Sequence, residues 1–179
     1  MRRLPALALL LAACSSAELA LPSEPLAGGR LVRDETAHAQ TDSLSYTLVP
    51  EGPGHRARIA IAYTNALRER VFVVNCNGAT NIRLEKLVDG RWTHVWSPVL
   101  PQCLSAPIVV EPGATHHTVV ELWGAAPGGN HAPVFAATNF EGTYRLVWGE
   151  VVMRYDPSRH PFGEAVPAEL RTSNRFVMR

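Results

Sequence analysis

The residues with chemistry to offer are seven histidines, three cysteines and four tryptophans in a chain of 179. His116 and His117 are the one adjacent histidine pair. Neighbours on a strand point to opposite faces, so these two are poorly placed to hold one metal together. They also follow a Pro-Gly turn, where solvated polar side chains belong. His94 alternates with Trp92 and Trp96, which predicts a satisfied, partly buried imidazole on the same strand face as both. No metal site is expected, with a surface site through His131 or His160 left open. For catalysis there is no Gly-x-Ser-x-Gly elbow and no Ser/His/Asp grouping. Glu85, Glu121 and Glu150 fall on expected strands, where exposed faces are the default. Gly128-Gly129 lacks the Lys-Ser/Thr and the helix of a phosphate loop. No enzyme and no cofactor are therefore expected. With 17 basic and 16 acidic residues the net charge is +1. That argues against a nucleic-acid-binding chain, which would carry a basic stripe.

Two features must position these residues: an N-terminal lead and a domain. Met1-Arg2-Arg3 is basic, and Leu4 to Ala13 is apolar. The run is too short to span a bilayer, which takes about 20 residues, but it has the size of a signal-peptide core. Leu11-Ala12-Ala13-Cys14 followed by Ser15 resembles the lipobox of bacterial lipoproteins. The resemblance implies that residues 1–13 are removed, that Cys14 carries lipid, and that the chain is anchored in a membrane by more than one acyl group. Ser15, where an Asp would signal retention, implies the outer membrane, facing the periplasm. Residues 14–42 then read as the lipidated Cys14 and a flexible tether, broken by Pro22, Pro25 and Gly28-Gly29.

With Cys14 used, Cys76 and Cys103 remain. In an oxidising compartment they are expected to form a disulfide. A redox or copper pair is the alternative, but Cys-x-x-Cys spacing and a methionine cluster are missing.

From Ser43 onward short alternating or β-branched segments are separated by turn signals, the pattern of an all-β domain. Expected strands are 44–49, 58–65, 71–74, 82–88, 91–96, 108–110, 115–123, 134–136, 143–155 and 173–178. Asp89-Gly90 is the strongest hairpin signal. Strands with one apolar face each favour two packed antiparallel sheets.

Gly142-Thr143-Tyr144-Arg145-Leu146 resembles the Gly-x-Tyr-x-Cys corner of immunoglobulin-like domains, with Leu146 in place of the cysteine. Val110-Glu111-Pro112-Gly113, the segment from Leu84 to Trp92 and the closing Thr172 to Val177 are similar to bacterial Ig-like domains of envelope lipoproteins. The resemblance implies a two-sheet immunoglobulin-like β-sandwich over residues 43–179. Its expected function is a non-enzymatic binding or accessory module whose partner is an envelope protein or a glycan. Trp92, Trp96 and Trp123 are candidates for an exposed binding surface, the alternative being packing on the disulfide; Trp148 is expected in the core. Similarity to proteinase inhibitors of the BsuPI type supplies a second reading, with the loop from Ser97 to Pro107, held by Cys103, as the inhibitory segment. A periplasmic metal-binding protein using the histidines is the third.

Overall fold

A computed structural model describes residues 34–159 and 161–179. Cys14, the signal segment, most of the tether and His160 lie outside the described residues. Among the described residues the domain is all-β, with twelve strands and one short 3-10 helix, η1 (Ala168–Arg171).

Long alternating segments make the frame. In β4 (Gly54–Thr64), Ile59, Ile61 and Tyr63 are buried while Arg56 and Arg58 are exposed. β9 (Thr115–Ala125) pairs with β4 antiparallel without a register break, from Gly54↔Ala125 to Thr64↔Thr115. β1 (Ala39–Thr41) and β3 (Val49–Glu51) pair with the other side of β4. Gly54 must be glycine here: a Cβ on it would lie 2.4 Å from the carbonyl oxygen of Gly124.

The second sheet has the order β2 (Ser45–Tyr46), β12 (Phe176–Met178), β10 (Gly142–Trp148), β6 (Ile82–Val88) and β7 (Arg91–Trp96). β2 runs parallel to β12, and the other pairings are antiparallel. Tyr144, Leu146 and Trp148 of β10 join Leu84, Phe176 and Met178 in one buried cluster with Ile59, Ile61, Tyr63 and Leu122 of the first sheet. The Tyr63 and Trp148 rings meet edge to face across the two sheets, centroids 5.5 Å apart. The layers therefore pack as a sandwich, each hiding its one apolar face.

A third sheet was not expected. β5 (Val71–Val73) pairs with β8 (Ile108–Val110) on one side and with β11 (Val151–Val152) on the other. β11 comes from the segment read as one strand from 143 to 155. At Gly149 that segment breaks: the Gly149 amide turns to the Asn81 carbonyl, and a Cβ would strike the Asn81 side chain. Residues 134–136 form only an isolated bridge, Ala125↔Val134.

The tether boundary also moves. Ala39 and Thr41 are fully buried. Asn174, itself buried, accepts from the Thr41 amide at 2.7 Å and donates to the Thr41 hydroxyl at 2.9 Å. Residues 39–42 thus belong to the domain rather than to the tether read through residue 42. Their short, polar sequence hid this, because the partner that satisfies Thr41 is 133 positions away.

Two buried hydroxyls brace the sandwich. Tyr144 donates to the Phe140 carbonyl at 2.7 Å, and burial pushes its phenol up to about 12. Tyr46 donates to Asp42 at 2.5 Å and is raised to about 12, first by burial and then by that carboxylate.

Candidate functional site

The site is assembled by the β6–β7 hairpin. Asp89 and Gly90 both take positive φ, 48° and 74°, as a two-residue hairpin turn demands. The ladder runs evenly from Val88↔Arg91 to Glu85↔His94 and then skips to Leu84↔Trp96, leaving Val95 as the extra residue of a bulge. A bulge changes which face the next side chain takes. Trp92 and His94 therefore stay on the outer face, while Trp96 turns into the core and is 2% exposed. This corrects the expected shared face. His94 is exposed and bonds the Ser97 hydroxyl at 2.7 Å, rather than being half-buried among aromatics.

On the same outer face the ladder sets Glu85 opposite Arg145 of β10. Glu85 is 6% exposed, against the expectation of a solvated strand carboxylate. It is satisfied from both sides, by Arg83 Nε at 2.9 Å and by Arg145 Nη2 at 2.7 Å. Burial of a carboxylate is tolerated when such charged partners complete its hydrogen bonds. Arg145 in turn lies over the Trp92 ring, 4.3 Å from its centroid, and Arg175 approaches the same ring at 5.8 Å. Glu85 thereby positions Arg145, and Arg145 covers Trp92.

Trp92, Arg145 and Arg175 form one wall of a cleft of about 510 Å³. Asp34, His38, Glu169 and Thr172 line the rest. The Thr36 hydroxyl and amide donate to Asp34 and hold its carboxyl below the usual range, with Arg175 adding to the effect. The cleft thus combines an aromatic surface, two guanidiniums and two carboxylates. Arg145 and Arg175 were not singled out in the sequence. The available signal was their place at odd positions between core residues, Tyr144 and Leu146 for one, Asn174 and Phe176 for the other.

The three candidate tryptophans do not share a surface. Trp92 faces the cleft. Trp96 is buried near Phe135, ring centroids 6.4 Å apart, and donates to the Trp123 carbonyl at 2.8 Å. Trp123 alternates outward from the other sheet, between buried Leu122 and Gly124.

Cys76 and Cys103 are disulfide-bonded. The bridge fastens the loop from Ser97 to Pro107 against the Asn75–Gly78 turn, where Asn75 also donates to the Ala106 carbonyl at 3.2 Å. Beside Cys103, Leu104 is 85% exposed, and Val99 is 65% exposed. Among the described residues no group of three His, Cys, Asp or Glu side chains is placed to hold a metal ion. His116 points inward and packs near Trp148; burial, then the neighbouring His117, lowers its pKa. No described helix is long and apolar enough to cross a membrane.

No family model matches the chain. No curated protein matches it either. Among solved structures it is similar to the alkylpurine DNA glycosylase AlkC of Pseudomonas fluorescens, bound to DNA containing an abasic-site analogue, at 10% identity and a TM-score of 0.30. The match covers 80% of this chain and 31% of that one, so the chain spans about a third of the length of that enzyme.

Proposed function

We propose that the protein is a lipid-anchored binding module of the bacterial cell envelope, with an immunoglobulin-like sandwich held off the membrane through Cys14. Support for the immunoglobulin-like assignment comes from the strand order. The first strands divide between the sheets, β1 antiparallel to β4 and β2 parallel to β12, and β12, β10, β6 and β7 follow one another. The Tyr144–Phe140 bond has the form of the tyrosine corner of such domains.

The observation that carries the binding role is the cleft in which Trp92 is flanked by Arg145 and Arg175. Two guanidiniums beside an aromatic face suit a partner with a carboxylate next to an apolar surface, as an envelope protein or an acidic glycan presents. The module is read as non-enzymatic.

Crosslinking in native membranes tests both halves. The wild-type chain is expected in the membrane fraction with a discrete crosslinked partner. Cys14→Ala should move it to the soluble fraction. Trp92→Ala should leave it in the membrane and lower partner capture about tenfold, a loss of roughly 1.4 kcal/mol. Equal capture by Trp92→Ala would remove the cleft from the proposal, and membrane retention of Cys14→Ala would remove the lipid.

The exposure of Leu104 favours a second reading, inhibition of a proteinase. Pro101, Pro107 and the Cys103 bridge restrain the loop, and restraint lowers the entropic cost of binding. If so, the protein slows a proteinase with a large apolar specificity pocket, and Leu104→Gly abolishes the effect. A panel of serine proteinases unaffected by the wild-type chain rules it out.

A further inference from the structure

The free edge of β9 is the feature the binding cleft does not use. β9 pairs with β4 on one side over its whole length. On its other side the ladder meets only the bridge Ala125↔Val134 at the far end, among the described residues. The hydrogen-bond phase says which residues face that edge. The Asn65 amide bonds the Ala114 carbonyl, so even-numbered β9 residues point their backbone groups at β4. The odd-numbered ones point the other way, and Ala125 does so visibly, bonding Pro133 and Phe135. Thr115, His117, Val119, Glu121 and Trp123 therefore present amides and carbonyls to the open side. Among these, one group has a partner from elsewhere in the described residues, the Trp123 carbonyl, held by Trp96.

Natural sheets protect such edges with lysines, prolines or bulges. β9 has none of these: its sequence is THHTVVELWGA, and its register is unbroken. Val119 is 39% exposed at the middle of the run. An unguarded edge of this length is a template for another strand.

We propose that the occupant is a second copy of this chain, β9 pairing antiparallel with β9 about a two-fold axis at Val119. That register uses all five outward positions, the Trp123 carbonyl accepting on its second lone pair beside Trp96. It sets Val119 against Val119, Thr115 against Trp123, and His117 against Glu121 twice. The last pairing sets an imidazole against a carboxylate on the outer face, where Glu121 already meets Arg58 at 3.1 Å. Moving the axis one residue towards the C-terminus would pair Thr115 with Ala125, whose backbone is taken, and one residue towards the N-terminus would set Trp123 against Gly113, whose amide already bonds Asn65. Moving it two residues towards the C-terminus would pair His117 with Ala125, whose backbone is taken. Pairing would join the two copies of this sheet into one continuous sheet and remove both edges.

Sedimentation of the full chain in detergent, with and without Val119→Lys, tests the proposal. The wild type is expected as a dimer at micromolar concentration, and Val119→Lys, which sets lysine against lysine, as a monomer. A short bis-maleimide should crosslink Val119→Cys at least tenfold more than Arg58→Cys, an exposed position on the neighbouring strand. A monomeric wild type, with the edge left for another protein, overturns the proposal. So does a dimer that survives Val119→Lys and crosslinks no better at 119 than at 58. Both readouts are independent of the cleft, since Trp92 lies on the other sheet.

Discussion

Trp148→Ala is expected to destabilise the domain by about 3–5 kcal/mol, the range for emptying a large aromatic site in a packed core. Trp148 is 1% exposed and ties several elements together. Its ring meets Tyr63 of the first sheet, its indole N–H donates to the Thr80 hydroxyl at 3.2 Å, and its carbonyl accepts from Arg171 of the 3-10 helix. Alanine would leave a cavity between two sheets whose backbones cannot both collapse into it. For a domain of this size the melting temperature should fall by roughly 10–15 °C. A second readout separates this cavity from general loosening. The His116 ring lies 6.2 Å from Trp148, and its Nε2 is buried with no hydrogen-bond partner among the described residues. Burial is the first cause of its lowered pKa, so admitting water should move that pKa up towards the ordinary histidine range. An NMR titration showing no movement, or a melting shift below about 3 °C, would contradict the packing described.

Removing the disulfide should cost nearly as much. The bridge closes a span of 27 residues containing the whole β6–β7 hairpin. The chain-entropy relation gives about 3.5 kcal/mol for that length. Cys76→Ala with Cys103→Ala is therefore expected to lower the denaturation midpoint by roughly a quarter to two-thirds, since domains of this kind carry about 5–15 kcal/mol. Dithiothreitol on the wild type should reproduce the loss. Proteolysis should then cut first between Ser97 and Pro107, the segment the bridge restrains. Two titratable thiols in the untreated protein would overturn the bridge itself.

Much of the fold was legible because it is local. Alternation placed Ile59, Ile61 and Tyr63 on one face, and Asp89-Gly90 fixed the hairpin. What escaped depends on partners distant in sequence. Ala39 to Thr41 read as tether because Asn174 satisfies Thr41 from the far end of the chain. β11 was merged into β10 because a two-residue strand has no period of its own; its identity comes from pairing with β5. The candidate site was half legible. Trp92 was found by its residue type, but the Val95 bulge sent Trp96 inward, and a single inserted residue leaves no compositional trace. Glu85 sits on β6, Arg145 on β10 and Arg175 just before β12, and their convergence around Trp92 follows from sheet order.

The parallel seam between β2 and β12 has a mechanical consequence. Val177 bonds the Leu44 carbonyl, Arg179 bonds the Tyr46 carbonyl, and Leu48 bonds the Arg179 carbonyl, all across one strip. Because the two strands run the same way, the chain enters the strip at one end along β2 and leaves it at the other along β12. Tension between those two points pulls along the strip, so these bonds share the load and must rupture together. An antiparallel hairpin pulled from its open end would instead lose its bonds singly, in sequence. A load applied between the start of β2 and the end of β12 therefore meets this seam in shear.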